Sequence, residues 1–329
     1  MTGSPVSEDD LIARFFAPLA GDGGLGLRDD AACVAAPAGS DLVMTVDGLV
    51  AGVHFFADDP PDAIARKALR VNLSDLAAKG ADPLGFLLTL ALPATAPAWL
   101  EAFARGLGED AAQYGCPLLG GDTVKTPGPL TISITAFGAV PTGRMVPRTG
   151  ARPGDLVAVT GAIGDAALGL LLRTTPVVAW IGSLDETERS YLHERYRLPR
   201  PRNGLAEALR EHAHAAMDVS DGFVGDLEKM LRVSGAAACV RVEDVPMSPA
   251  VQRAITADPA LLEAALTGGD VYEILCAVPP ERIDALKAAA EAAKIPLAVV
   301  GEVVEGGKSN LFTYHGAPAS FARRSYSHF

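Results

Sequence analysis

The feature that most constrains the fold is a stretch near the middle of the chain, residues 141–155, which reads PTGRMVPRTGARPGD. Its proline, glycine and arginine content disfavours both helix and strand, and such segments commonly lie between domains. On each side of it, short apolar runs alternate with helical periodicity. Because 329 residues are enough to bury two hydrophobic cores, we predict one domain over 1–149 and a second over 150–329.

Both predicted domains mix strands and helices. The first half predicts strands at 42–46 and 85–92, helices at 62–79 and 97–114, and further apolar runs at 116–119 and 130–140. The second half predicts strands at 156–160, 237–242, 272–278 and 297–304, and helices at 165–172, 185–195, 203–212, 222–234 and 281–293. This pattern is typical of an α+β (mixed α/β) fold in which each domain has a mixed sheet covered by helices.

The charge composition disfavours one class of partner. There are 28 Lys and Arg residues against 40 Asp and Glu, a net charge of −12. Nucleic-acid affinity depends on cationic side chains that contact phosphates, so we expect no nucleic-acid partner. The chain shows neither a membrane-spanning apolar run nor the pattern of a signal peptide, and its four cysteines are far apart. We therefore expect a cytoplasmic protein that does not bind membranes.

A glycine-rich segment at residues 21–26 fits the GxGxxG pattern of dinucleotide-binding loops but not their context. Such a loop follows a strand and opens a helix. Here a predicted helix precedes the glycines and the strand-like AACVAAP follows them. The segment therefore predicts a turn.

The residues best suited to carry chemistry are aspartates in loops and at strand ends. They are Asp30, Asp47, Asp75, Asp122, Asp218, Asp221 and Asp270. Single members have ordinary explanations, since Asp221 can cap a helix and Asp75 can pair with Lys79. However, Gly-Gly precedes Asp twice, in LLGGDT and TGGDVYE, and glycine allows backbone to approach a ligand closely. Carboxylate oxygens suit Mg²⁺, which neutralises phosphates, so the pattern indicates magnesium-dependent phosphate chemistry.

Eight segments of the chain occur in an informative order. They are DDAACV, TVDGLVAGVHF, VNLSDLAAKGADP, LLGGDT, RTGARPGD, MDVSDG, TGGDVYE and SYSHF. In this order they resemble the thiamine-monophosphate kinases, part of a wider group with aminoimidazole-ribonucleotide synthetase, selenophosphate synthetase and a hydrogenase maturation factor. The resemblance implies ATP-dependent phosphorylation of thiamine monophosphate to thiamine diphosphate with several Mg²⁺ ions. It also implies a homodimer in which the N-terminal sheets of two subunits pair.

The same resemblance implies roles for individual residues. The implied metal ligands are Asp30, Thr45, Asp47, Asp75, Asp122, Asp218 and Asp221, and the implied catalytic residues are Asp47, Asp122 and Asp218. Those implied near ATP are Gly121, Asp122, Arg148 and Ser220, and those implied near thiamine monophosphate are His54, Asp270 and Tyr326. The N-terminal domain would then bind ATP and Mg²⁺ and form the dimer, and the C-terminal domain would complete the nucleotide and substrate site.

The implied reaction needs charge neutralisation more than it needs a base. Its acceptor is a phosphate oxygen that is already ionised near neutral pH, and the obstacle is repulsion between two polyanions. We therefore expect direct in-line transfer without a phosphoenzyme. Arg148 would add positive charge at the triphosphate, and Tyr326 would stack on the cationic thiazolium or the pyrimidine ring.

Four positions depart from the family pattern or leave alternatives open. Arg28 precedes the Asp pair where the family has glycine, and Asp270-Val271 replaces the Glu-Asp of GGEDYE. Val271 removes a carboxylate, which leaves open a non-catalytic nucleotide-binding regulator on the same scaffold. A sibling synthetase also stays open. Selenophosphate synthetases carry a reactive cysteine near the N-terminus, and the apolar neighbours of Cys33, the candidate here, predict a buried side chain.

Overall fold

The computed structural model describes residues 7–175, 178–306 and 311–327. The chain divides into two compact units, the first of Met1–Leu76 and Ala81–Gly143, the second of Ala77–Gly80 and Arg144–Phe329. Each unit has its own sheet with helices, so the predicted two-domain α+β fold is confirmed. The roles given to 1–149 and 150–329 remain predictions. Within the described ranges, every helix is too short or too polar to cross a membrane.

The first unit begins with helical turns. Helix α1 (Glu8–Leu11) is capped by Ser7, whose hydroxyl oxygen accepts from the Asp10 amide. A π-helical turn (Ile12–Phe16) and 3-10 turns (Ala17–Leu19 and Asp22–Leu27) follow. Helical turns therefore lead into the glycine-rich segment, as the sequence predicts.

A four-stranded sheet forms the rest of this unit. Its elements are β1 (Ser40–Val50), α2 (Pro61–Ala78), β2 (Asp82–Leu92), α3 (Pro97–Tyr114), β3 (Leu118–Lys125) and β4 (Thr131–Pro141). The strand order is β1-β4-β2-β3, with β2 and β3 parallel and the other pairs antiparallel. Because side chains alternate between faces, Leu90 and Ile132 are fully buried on one face, while Met44 and Val46 on the other are 65% and 60% exposed.

The second unit is built on a seven-stranded sheet. Its elements are β5 (Leu156–Thr160), α4 (Asp165–Thr174), α5 (Glu186–Arg197), α6 (Ala206–His212), β6 (Ala215–Asp218), α7 (Phe223–Ser234), β7 (Ala236–Arg241), α8 (Pro249–Ala257), α9 (Leu261–Thr267), β8 (Ile274–Val278), α10 (Ile283–Ala292), β9 (Leu297–Glu305), β10 (Leu311–Tyr314) and β11 (Ala317–Ala319). The order is β11-β10-β7-β9-β5-β8-β6, with β10 and β7 parallel and the rest antiparallel.

Both faces of the larger sheet are buried by helices. On β5, Val157 packs in a cluster with Phe223 of α7, whereas its neighbour Ala158 packs in a second cluster with Leu286 of α10. Alternating residues of one strand therefore serve two cores. This explains why the strands of the second half are almost continuously apolar.

Candidate active site

A cavity of about 880 Å³ in the first unit brings two predicted metal ligands together. Asp30 and Asp122 both line it, with sheet residues such as Leu87 and Phe137 on one side and the chain before β1 on the other. A cavity of this volume is large enough for a nucleotide-sized ligand. The described structure therefore groups Asp30 and Asp122, which are 92 residues apart in sequence.

Gly121, next to Asp122, has a structural reason to be glycine. Its φ is +156°, and a Cβ on it would lie 1.9 Å from the carbonyl oxygen of Leu88. The close pairing of β3 with β2 therefore excludes any side chain at this position. The glycine allows β3 to present the Asp122 side chain on the cavity face.

A second group lies on the opposite face of the same sheet. The Thr45 hydroxyl on β1 donates to Oδ2 of Asp75 on α2 at 2.5 Å. Asp47 is two residues further along β1 and so shares the face of Thr45. Three predicted metal ligands from two distant segments are thus on the helix-covered side of the sheet, and all offer oxygen donors.

The strand register separates these two groups within one chain. Asp122 pairs with Thr89, Thr89 with Ser133, and Ser133 with Gly48, the neighbour of Asp47. Three strand spacings amount to about 14 Å, and Asp47 and Asp122 point to opposite faces. One ion therefore cannot contact both carboxylates of the same chain in this conformation.

His54 is oriented by the turn that follows β1. Its Nδ1 accepts a hydrogen bond from the Val50 amide at 3.0 Å, and its backbone oxygen accepts from Lys67 Nζ at 2.8 Å. A neutral imidazole whose Nδ1 accepts carries its proton on Nε2. The turn thus orients the ring so that Nε2 is the nitrogen able to donate a hydrogen bond.

In the second unit, four predicted site residues meet around one loop. The loop follows Asp218 at the end of β6 and leads into α7. The Asp270 amide donates to the Ser220 carbonyl at 2.8 Å, and the Tyr326 amide donates to the Asp221 carbonyl at 2.9 Å. Backbone contacts therefore bring the TGGDVYE and SYSHF segments to the MDVSDG loop.

Two residues that the sequence does not single out, Lys229 and Asp226, contact Asp221. Lys229 Nζ lies 2.5 Å from an Asp221 oxygen and 2.9 Å from one of Asp226. Asp226 is fully buried and accepts from the amides of Asp221 and Gly222, so it, and not Asp221, supports the start of α7. Burial raises the pKa of Asp226, and the Lys229 ammonium opposes that rise.

Arg148 precedes the second sheet and its side chain is exposed. Its carbonyl oxygen accepts from the Ser234 hydroxyl at 3.4 Å, near the end of α7. The guanidinium is therefore positioned in solvent, where it can meet an anionic ligand. Its role at the triphosphate stays a prediction.

Val271, which stands where the family has a carboxylate, lies in the interior of the second unit. It is 2% exposed and packs in the apolar core of the second unit with Val219 and Leu275. A side chain buried among apolar residues does not face a substrate. Val271 therefore contributes to the apolar core of the second unit.

The prediction that Cys33 is buried is wrong. Cys33 is exposed, and so are its neighbours from 29 to 39. The apolar run AACVAAP predicts a strand because of its composition, but it forms none. Several of its residues instead line the cavity that contains Asp30 and Asp122.

Both units of the chain match known protein families. The AIR synthase related protein N-terminal domain family matches residues 28–140, and the corresponding C-terminal domain family matches residues 152–313. The hydrogenase maturation protein HypE in complex with ATP has a TM-score of 0.77 at 21% identity, over 97% of this chain and 94% of that one. At that identity, the likeness shows the fold alone.

Closer relatives share one name. The thiamine-monophosphate kinase of Caulobacter vibrioides is 44% identical over 99% of this chain and 92% of its own, and that of Escherichia coli K12 is 39% identical over 98% of each. The crystal structure of the Stenotrophomonas maltophilia K279a enzyme has a TM-score of 0.80 at 37% identity, over 89% of this chain and 91% of that one. AaThiL complexed with AMPPCP and TMP has a TM-score of 0.75 at 30% identity, over 92% and 91%. This chain therefore belongs to the AIR synthase related proteins and, among them, to the thiamine-monophosphate kinases.

Proposed function

We propose that this protein transfers the γ-phosphoryl group of ATP to thiamine monophosphate, forming thiamine diphosphate and ADP. The observation that carries the proposal is near-full-length identity of up to 44% to thiamine-monophosphate kinases. The related AaThiL binds AMPPCP, an ATP analogue, together with TMP. The fold that these proteins share extends over both units of the chain, so the activity is assigned to the protein as a whole.

The arrangement of the carboxylates suits Mg²⁺ ions that the protein and the substrate phosphates bind together. Among residues 7–175, 178–306 and 311–327, no three His, Cys, Asp or Glu side chains form a protein-only metal site. Mg²⁺ is usually bound by one or two carboxylates, with water and substrate phosphates completing its coordination. The oxygen donors fit that mode. We propose as ligands Asp30 and Asp122 at the cavity, Thr45 and Asp47 of β1 with Asp75 of α2, and Asp218 and Asp221 in the segment before α7.

The residues themselves bind and orient the two phosphates. Magnesium, when bound, neutralises the phosphates that must approach each other. Arg148 contributes a fixed positive charge at the triphosphate, and His54 donates from Nε2 to the monophosphate. Asp270 and Tyr326 contact the thiamine moiety, where the Tyr326 ring stacks on the cationic thiazolium. The transfer is direct and in line, with no enzyme nucleophile.

The activity assay is incubation of the protein with ATP, Mg²⁺ and thiamine monophosphate. We expect stoichiometric formation of thiamine diphosphate and ADP, separated by chromatography, and loss of both products when EDTA is added. A parallel reaction with the substrate of a sibling synthetase in place of thiamine monophosphate should give no product. ATP binding without turnover of thiamine monophosphate would contradict the proposal and favour the regulator.

We also propose that the exposed sheet face of the first unit forms a homodimer interface. Leu42, Met44 and Val46 of the edge strand β1 are 48%, 65% and 60% exposed on this face. A contiguous apolar strip on an edge strand is a typical interaction surface.

We further propose a cytoplasmic location for the protein. All four cysteines, including the buried Cys116 and Cys276, are free thiols, which is typical of proteins in a reducing compartment.

The double change Met44→Glu and Val46→Glu tests this interface. Two carboxylates on the strip would be desolvated and would repel their symmetry mates, so we expect a monomer where the parent protein is a dimer. The measurement is mass by size-exclusion chromatography with light scattering. Val233→Glu, at an aliphatic residue of α7 that is 46% exposed, is the matched control and should stay dimeric. A dimer that survives the double change would refute the interface.

A further inference from the structure

We infer that Glu273, whose carboxylate is anchored by Arg195 and Arg202, is a positioning residue that holds the Val219–Asp221 loop through backbone hydrogen bonds. The inference rests on the proposed function, because that loop carries Ser220 and Asp221. Glu273 follows the Asp270 segment directly and precedes β8. Its role would be exerted through the backbone, without contact to substrate.

The Glu273 carboxylate is completely buried and fully engaged. Arg202 donates to it twice, from Nε at 2.7 Å and from Nη2 at 2.5 Å. Arg195 Nη2 donates at 3.1 Å, and the Thr160 hydroxyl donates at 2.7 Å. A carboxylate has about four acceptor positions, and four donors occupy them. Glu273 therefore has no capacity left for a metal ion or a substrate.

The backbone on either side of Glu273 is paired with the loop. The Glu273 carbonyl accepts from the Val219 amide at 2.8 Å, and the Tyr272 amide donates to the Val219 carbonyl at 2.7 Å. The Asp270 amide donates to the Ser220 carbonyl at 2.8 Å. Three consecutive contacts thus transmit the position of the Glu273 segment to the loop that carries the proposed ligand Asp221.

This segment has an unfavourable backbone conformation that needs external support. Asp270 and Tyr272 have φ values of +64° and +53°, a region that side-chain-bearing residues rarely adopt. Such residues persist where their surroundings over-determine them, and they concentrate at functional sites. The buried ion pairs of Glu273, one residue beyond Tyr272, supply that support.

On the arginine side of the cluster, Arg195 also forms an ion pair with a second buried carboxylate, that of Asp165. Arg195 Nε lies 3.8 Å from Oδ2 of Asp165, which accepts from the Tyr191 hydroxyl at 2.6 Å. Burial and the bond to Asp165 raise the pKa of Tyr191 to about 12, so this donor keeps its proton. On the opposite side, a Cβ on Gly161 would lie 2.1 Å from Glu273 Oε1. Any side chain at position 161 would therefore clash with the Glu273 carboxylate.

Stability alone gives no reason to keep such a cluster. A buried ion network often contributes no more than apolar residues of the same size would. The position of the cluster beside the strained segment and the ligand-bearing loop gives a better reason to keep it. Residues that orient metal ligands without touching the metal commonly change metal affinity and activity by about 10- to 100-fold.

The test replaces the charge while keeping the shape. We expect Glu273→Gln to weaken Mn²⁺ binding in the presence of AMPPCP by about 10- to 100-fold, measured by EPR titration. The kcat for thiamine diphosphate formation should fall at low Mg²⁺ and recover in part at high Mg²⁺. Arg202→Lys, which keeps the positive charge but loses the bidentate contact, should give a smaller decrease in the same direction.

Asp155→Asn is the matched control. Asp155 is a buried carboxylate of the same unit that bonds the Arg152 amide and His214 Nδ1, and none of its contacts involves the loop. We expect it to lower thermal stability but to leave Mn²⁺ affinity within about twofold. The inference is overturned if folded Glu273→Gln and Arg202→Lys proteins bind Mn²⁺ like the parent, or if Asp155→Asn weakens binding equally. Because Mn²⁺ binding is read without turnover, the result is distinct from a failure of the proposed reaction.

Discussion

Replacing Asp47 by asparagine is expected to lower kcat for thiamine diphosphate formation by about two to three orders of magnitude. The amide keeps the size of the side chain but removes one negative charge from the group that Asp47 forms with Thr45 and Asp75. Charge repulsion between the two phosphates is then neutralised less well. The measurement is steady-state kinetics over a range of Mg²⁺ concentrations, with circular dichroism to confirm the fold.

Asp41→Asn is the control for this change, because Asp41 lies on the same strand. Its carboxylate is exposed and accepts from the Gly143 amide. Its substitution should leave kcat within about twofold, since exposed pairs contribute little. Near-parental activity of Asp47→Asn at ordinary Mg²⁺ concentration would remove Asp47 from the proposed ligands.

Asp110→Ala should have the largest effect on stability in the first unit, lowering its free energy of unfolding by about 3–5 kcal/mol. The Asp110 side chain on α3 is fully buried and accepts from Arg66 at 2.6 Å and from Arg70 at 2.5 Å. Both arginines are on α2, the helix that carries Asp75. Removal of the Asp110 carboxylate leaves the mostly buried guanidinium groups of Arg66 and Arg70 without their counter-charge. Hydrogen exchange of α2 and α3 peptides measures the loss.

Glu109→Ala removes the neighbouring carboxylate, which also pairs with Arg66 but is 54% exposed. Solvent screens this pair, so we expect a loss below about 1 kcal/mol. Similar losses for the two variants would mean that burial does not decide the contribution of the Asp110 cluster.

Where local signals are strong, the sequence predicts the fold well. Helix α3 spans 97–114 as predicted, because Pro97 starts it and Gly115, at φ +62°, ends it. Strand β5 also spans 156–160 as predicted, since five apolar residues lie between turn residues. Both elements have a clear start, a clear end and one dominant periodicity.

Elements without those signals were missed or only partly predicted. For strand β6 the sequence indicates a strand at MDVSDG but not its bounds, because its four residues, AAMD, are too few for a periodicity to appear. Helices α8 and α9 and strands β10 and β11 are also short and were not predicted. For α8 a signal was present, because Ser248 caps the helix and Pro249 follows it. Short elements are formed mainly by tertiary packing, which a single sequence does not display.

For the candidate site, the sequence names residues better than it arranges them. The motifs and the family resemblance supply Asp47 and Asp122, but only the strand register shows that they point to opposite faces of one sheet. The sequence does not single out Lys229, which is partly exposed, or the buried Glu273, because the pairing of charged residues has no periodic pattern. The position of Glu273 directly before the apolar run ILCAV was the available sign of a buried charge.

The most direct test is a crystal structure with Mn²⁺, AMPPCP and thiamine monophosphate, in which anomalous scattering locates each metal ion. We expect Mn²⁺ peaks within coordination distance of the phosphates of AMPPCP, with carboxylate oxygens drawn from Asp30, Asp47, Asp75, Asp122, Asp218 and Asp221. Peaks on the phosphates that none of these carboxylates touches, or phosphates bound without any metal, would contradict it.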